Sequence, residues 1–183
     1  MYKIIDISGY FNNIGATNIH NFNIGNLSLG SSSFPEEEIP FNKDFKYEKI
    51  PFIFKKKNNF DNIQLEGQYI KLKEAINCEE IFFVGVASNG DMSGQIDFLL
   101  DDKLITTTKI RLTDFTSDKP AFLEKVVLTF NYIYSKSGIN NMRSNMWVTK
   151  QTFNSLTFNK LKFEYNPFIH IFCITCNVKN GGI

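Results

Sequence analysis

Along the chain, apolar and polar positions alternate in short runs, and a sustained helical repeat is scarce. Runs such as Ile81–Val86 and Thr106–Leu112 are rich in Phe, Ile, Val and Thr, which suit a pleated, half-buried surface. Turn chemistry separates them: "SNGDMSG", "DDK", "SKSGINN" and "NPF". The pattern predicts strands over Lys3–Ile7, Tyr47–Phe54, Gln68–Leu72, Ile81–Val86, Gly94–Leu100, Thr106–Leu112, Val126–Tyr134, Asn145–Lys150, Ser155–Lys162 and His170–Val178. Strands of this spacing predict an all-β, antiparallel two-sheet β-sandwich, read as a single domain over residues 1–183. "SSSFPEEEIPFNKDF" (31–45) reads as a long surface connection, with Glu36–Glu38 a solvated acidic face. Lys55–Lys57 reads as a hairpin tip.

Composition narrows the function classes. Twenty Lys and Arg stand against nineteen Asp and Glu, so no basic excess attracts a nucleic-acid backbone. No apolar run is long enough to span a bilayer. The start, "MYKIIDISGYFNN", lacks the apolar core of a secretion signal, which predicts a cytoplasmic protein, or a secreted one if a leader has been trimmed. Nineteen Phe residues are many for a domain this size to hide, which motivates one reading as a self-associating or scaffold protein.

Candidate chemistry is sparse. Cys173 and Cys176 spell C-x-x-C, but positions three apart on a strand point to opposite faces, so buried thiols are expected rather than a metal site. No nucleophile-elbow serine and no glycine-rich phosphate loop occurs. No cofactor is implied. His170 opens the last strand, and His20 sits in the Asn-rich loop "ATNIHNFNIGN". As an enzyme, the chain would draw its acid and base from these two and from carboxylates such as Asp61. Trp147, the one Trp, is expected in the core.

The loop Ala87–Gly94 admits two readings. Asn89-Gly90 supplies a positive-φ turn, or Asn89 and Ser93 offer an amide and a hydroxyl to a polyol, with Asp61 and Asn62 nearby.

The order of motifs resembles a bacterial β-sandwich domain found appended to glycoside hydrolases and taken as a carbohydrate-binding module. "YFNNIGAT" stands at its Y-N-N-x-G opening, "FNIGNLSL" at F-D-G-x-G-x-S-Y, and "NFDNIQLEGQYI" at its D-N-V-x-A-x-G-Q-x-I segment. "FFVGVASNGDMSGQIDFLLDD" matches L-x-F-L-G-x-A-x-N-G-x-x-S-G, "LTDF" stands for S-D-W, and "NPFIHIFCITC" for N-P-x-x-H-I-F-A-I-T-L. The chain departs at "FNIGN", at "LLDDK" and at Phe115, where the family has a Trp. The resemblance implies a jelly-roll or galactose-binding-like sandwich that binds a carbohydrate or another small polar ligand without chemistry. Asn12, Asn13, Asp61, Asn62, Asn89 and Ser93 are its candidate ligand-binding residues.

Overall fold

The computed structural model describes residues 1–179. Its first part is loop-rich, with β1 (Tyr2–Ile5), β2 (Ala16–Thr17), β3 (Phe34–Pro35), β4 (Phe45–Tyr47) and β5 (Ile50–Phe52) joined by three single 3-10 turns. Long strands follow: β6 (Ile63–Glu66), β7 (Tyr69–Ala87), β8 (Met92–Leu100) and β9 (Lys103–Leu112). Then come β10 (Lys125–Phe130), β11 (Ile133–Ser135), β12 (Gly138–Asn140), β13 (Ser144–Phe163) and β14 (Tyr165–Val178). The all-β sandwich expected from the sequence is what forms.

The main sheet runs β1-β14-β7-β13-β8-β9, with β10 also on β13 and β6 also on β14, all antiparallel. β7 and β13 are longer than the sequence pattern predicts. "KEAINCEE" and "QTFN" contain polar residues but no obligate turn former, so Gln68–Leu72 fuses with Ile81–Val86, and Asn145–Lys150 fuses with Ser155–Lys162. The polar interruptions survive as register shifts, between Thr152 and Leu156 and between Phe158 and Lys160, where β13 bends past β7. Conversely, Tyr47–Phe54 breaks at Glu48 (φ 55°) into the β4–β5 hairpin.

Burial along β7 records how the sheet is covered. Tyr69–Lys73 alternates between exposed and inward positions, Lys73–Ala75 is exposed throughout at the register shift, and every residue from Ile81 to Ala87 is buried. Glycine permits the contacts there. A Cβ on Gly85 would stand 2.4 Å from the His170 carbonyl oxygen and 3.1 Å from Leu112 Cδ1, so β14 lies this close to β7 only because that position is bare.

Phe34 is the aromatic hub of the core, its ring 4.6 Å from Phe130, 5.8 Å from Phe115 and 6.1 Å from Phe172, between centroids. Of the nineteen Phe, only Phe60 is exposed among the described residues. Of the others, eleven are buried and seven half-buried. Trp147 is fully buried as well.

In the Glu36–Glu38 run, Glu37 and Glu38 are exposed, as a solvated acidic face requires, and two of the three carboxylates are also bonded. Glu37 Oε1 accepts from the hydroxyls of Tyr132 and Tyr134, each at 2.8 Å, and Glu36 pairs with Lys56 at 2.7 Å. Lys55 pairs with Asp6 at 2.7 Å.

Gly85→Ala forces a Cβ against backbone across the β7–β14 ladder and is expected to cost about 3 kcal/mol, the upper part of the overpacking range. Gly9→Ala, with no atom within 4 Å of the added carbon, should stay within about 0.5 kcal/mol of the parent. Urea denaturation of the two variants checks the contrast; equal losses would refute the close approach at Gly85.

Candidate functional site

Four segments far apart in the chain meet at one end of the sandwich: residues 12–17, 61–64, 88–90 and 166–170. Asp61 lies just before β6 and is buried. Its Oδ1 accepts from the Gly15 amide (2.9 Å) and from Asn62 Nδ2 (2.7 Å), and its Oδ2 accepts from the Ala16 amide (2.9 Å). Asn62 is fully buried. Its Nδ2 also donates to Asn13 Oδ1 at 3.1 Å, and its Oδ1 lies 3.1 Å from His170 Nδ1. Asn13 Nδ2 passes the chain of bonds on to the Asn26 carbonyl at 2.8 Å.

With the Asn62 amide committed to Asp61 and Asn13, its oxygen must face His170, which assigns the imidazole proton to Nδ1. His170 Nε2 then faces Ser88 Oγ, 3.5 Å away, and Ser88 Oγ in turn accepts from Asn89 Nδ2 at 3.3 Å. A relay of side chains thus runs from the sealed Asp61 to the surface at Asn89.

Burial sets the protonation of its members. It pushes the Asp61 carboxyl up to about 7 against the pull of the Asn62, Gly15 and Ala16 hydrogen bonds. It holds His170 down at about 3, the Leu27 carbonyl nearby acting weakly in the other direction. A histidine so far below neutrality stays uncharged and is a poor base, so the relay works chiefly as a rigid junction.

The residues nominated from sequence therefore separate by placement. Asn13, Asp61 and Asn62 are brought together, but below the surface, with their polar atoms bonded inside the protein. Asn12 clamps β6: its Oδ1 accepts from the Gln64 amide (2.8 Å), and its Nδ2 donates to the Gln64 carbonyl (3.1 Å). Asn89 reaches the surface at φ 60°, followed by Gly90 at φ 117°, so it serves the turn and also faces solvent. Ser93 is exposed on β8, opposite Arg111; its carbonyl accepts from Asn166 Nδ2 at 3.3 Å, and it does not line the cleft above His170. His20 is exposed on a separate turn, where its amide donates to Asn18 Oδ1 at 2.9 Å. His170, by contrast, joins the network.

Above His170 the segments leave a cleft of about 160 Å³. Its polar lining comes from Asn26, Ser28, Gln64, Ser88 and Asn89, and its apolar lining from Leu27, Leu29, Pro167 and Phe168. Every side chain is uncharged. Gln64 Nε2 is used on the Pro167 carbonyl (2.7 Å), and Ser28 Oγ bonds Ser32 Oγ (3.1 Å). Asn26 is exposed, and its carboxamide makes no hydrogen bond within the protein among the described residues. Asn26, Gln64 and Phe168 escaped the sequence reading because a single Asn, Gln or Phe carries no positional signal until the loops are assembled.

The three cysteines are buried. Cys173 and Cys176 face opposite sides of β14, the first donating to the Ile53 carbonyl (3.3 Å) and the second lying against Cys78. Burial raises the Cys173 thiol well above its ordinary range.

The chain belongs to the family described as the AziU2-like beta-sandwich domain, whose model matches residues 2–180. No curated protein matches it in sequence.

The two buried titratable groups oppose each other in pH dependence. His170 is held below the 6.5 of a free imidazole, so its contribution is present above pH 6.5 and lost as pH falls towards 3. Asp61 is raised from 3.8 to about 7, so its contribution is present below pH 3.8 and lost as pH rises through 7. Between these limits the slopes counteract. Asp61→Asn removes one of them, and its stability should climb with pH over this window more steeply than the parent's, by up to about 1.4 kcal/mol per pH unit. Denaturant titrations at several pH values read this slope; parallel curves would sink the assignment.

Proposed function

We propose that this AziU2-like beta-sandwich domain is a non-catalytic binding module for a carbohydrate or another neutral polar small molecule, received in the cleft above His170. One observation carries the reading: a concavity whose lining is wholly uncharged, combining amide and hydroxyl groups with the apolar faces of Phe168 and Pro167. A sugar ring has the matching character, hydroxyls around its edge and CH groups on its face. The buried network beneath supports this. It consumes the hydrogen-bonding capacity of Asn13, Asp61 and Asn62 internally and holds the four segments at fixed spacing, so Asn89 and Ser88 stand in place before a ligand arrives. The likeness of "NGDMSG" and "NPFIHIFCIT" to a sugar-binding sandwich appended to glycoside hydrolases points the same way, since both motifs border this cleft.

An enzymatic reading on the same scaffold loses its strongest base, because His170 is sealed and held neutral. The cleft is also small, which favours a single ring over a chain.

Calorimetric titration with a panel of neutral mono- and disaccharides is expected to give binding in the millimolar range or tighter. Asn89→Gly keeps the positive-φ turn while deleting the amide, and should weaken binding about tenfold, the worth of one good hydrogen bond. Ser93→Ala should leave it unchanged. No sugar binding at millimolar concentration, or equal effects of the two substitutions, would overturn the proposal.

A further inference from the structure

A second concavity lies where the β4–β5 hairpin partly covers the main sheet, lined by residues other than those of the neutral cleft, and its chemistry differs. It encloses about 480 Å³, a size that suits a small molecule. Register places its floor on one face. In the ladder, Phe82 is opposite Lys150, Val84 opposite Val148, and Val148 opposite Lys125, so Phe82, Val148, Lys125 and Lys150 project to the same side. Tyr2 on the edge strand joins them, its ring 6.2 Å from that of Phe82 in an edge-to-face arrangement. The β4–β5 hairpin forms one wall with Ile50 and Lys49, and the start of β10 forms the other with Leu123 and Lys125.

Two features call for an occupant. The first is Leu123, 97% exposed. Its neighbour Glu124 is buried, with Oε1 accepting from both the amide and the hydroxyl of Thr113, and this anchor turns Leu123 outward over the rim. The second is charge. Glu80 is already engaged, with one oxygen on Lys150 (3.0 Å) and the other on Asn177 Nδ2 (3.0 Å). Lys49 and Lys125, on opposite walls, have no carboxylate partner among the described residues, and Glu48 at the hairpin tip is the other acid lining the groove.

We infer that this groove binds a small aromatic monocarboxylate, its ring laid between Leu123 and the Tyr2–Phe82 floor and its carboxylate between Lys49 and Lys125. An aromatic body buries the exposed leucine and the ring edges, and the anion gives the two ammonium groups the counter-charge they lack. A neutral sugar would satisfy neither lysine, which separates this site from the neutral cleft.

Titration of the full chain with naphthoate and with the isosteric naphthamide, followed by amide NMR shifts, tests the inference. Naphthoate should bind about tenfold more tightly than naphthamide at low salt, the advantage shrinking as ionic strength rises. Shifts should centre on residues 2, 82, 123 and 125. Lys125→Gln should lower naphthoate affinity about tenfold and leave naphthamide unchanged. Leu123→Ala, at a side chain too exposed to support the fold, should weaken both ligands. Asn89→Gly should affect neither, so failure here is distinct from failure of the sugar reading. Equal affinity for acid and amide, shifts centred elsewhere, or no binding of either compound would overturn it.

Discussion

The fold depends on one buried carboxylate and the amide beside it. The stretch before β6 is mostly loop, with strands of two to four residues that cannot hold themselves in place. Asp61 fixes it. A buried carboxylate without partners is prohibitively costly, and the Gly15 and Ala16 amides reach it only when residues 13–17 lie across the end of the sheet. This carboxyl group holds the loop together with backbone bonds that join residues 12–15 to Asn26, Phe34, Asp61 and Asn62. Asn62 extends the constraint to β14, because its amide and carbonyl ends are bonded to different segments. Replacing it by an apolar residue would strand several polar groups at once, which is where the large costs of buried networks arise.

Close packing at this junction relies on what is absent. A Cβ on Gly15 would meet Asn62 Nδ2 at 2.6 Å and Phe172 Cζ at 2.7 Å. The same residue that gives Asp61 its amide must therefore carry no side chain, and the polar network sits directly on the aromatic core through Phe172 and Phe34. Polar and apolar parts of the interior are one packed unit. This explains how a histidine can be sealed there uncharged: its ring nitrogens have partners supplied by residues that the core itself positions.

How much of this was legible in the sequence varies with the range of the interaction. Alternation and turn residues identify an all-β sandwich, because each strand carries its own local pattern. They misjudge length at β7 and β13, where polar residues mark a bend in a continuing strand rather than its end. The grouping of Asn13, Asp61, Asn62 and His170 is half visible in the sequence, which offers the first three as ligand-binding residues and His170 as an acid or base. Burial decides their role, and burial is a property of the assembled loops. Asn89 is the reverse case, since its left-handed turn was readable from Asn-Gly alone. Tyr2 and Leu123 had no signal at all, because nothing local marks a residue that lines a groove between a sheet and a hairpin packed on it.

Near-neutral net charge conceals how unevenly the molecule is charged. Ion pairs remove most of the local field around them: Lys3 with Glu74, Lys55 with Asp6, Lys56 with Glu36, Lys150 with Glu80, Lys160 with Asp102 and Lys179 with Glu79. What remains distinguishes the two concavities. The cleft over His170 has no charged lining, so shape and directional hydrogen bonds must select whatever enters it. The groove beside the β4–β5 hairpin has Lys49, Lys125 and Lys150 around an apolar floor that includes Phe82 and Val148. Composition averages these two environments away. Where pairing is left incomplete is fixed by strand register: Lys125 lies opposite Val148, while Lys150 is held within reach of Glu80.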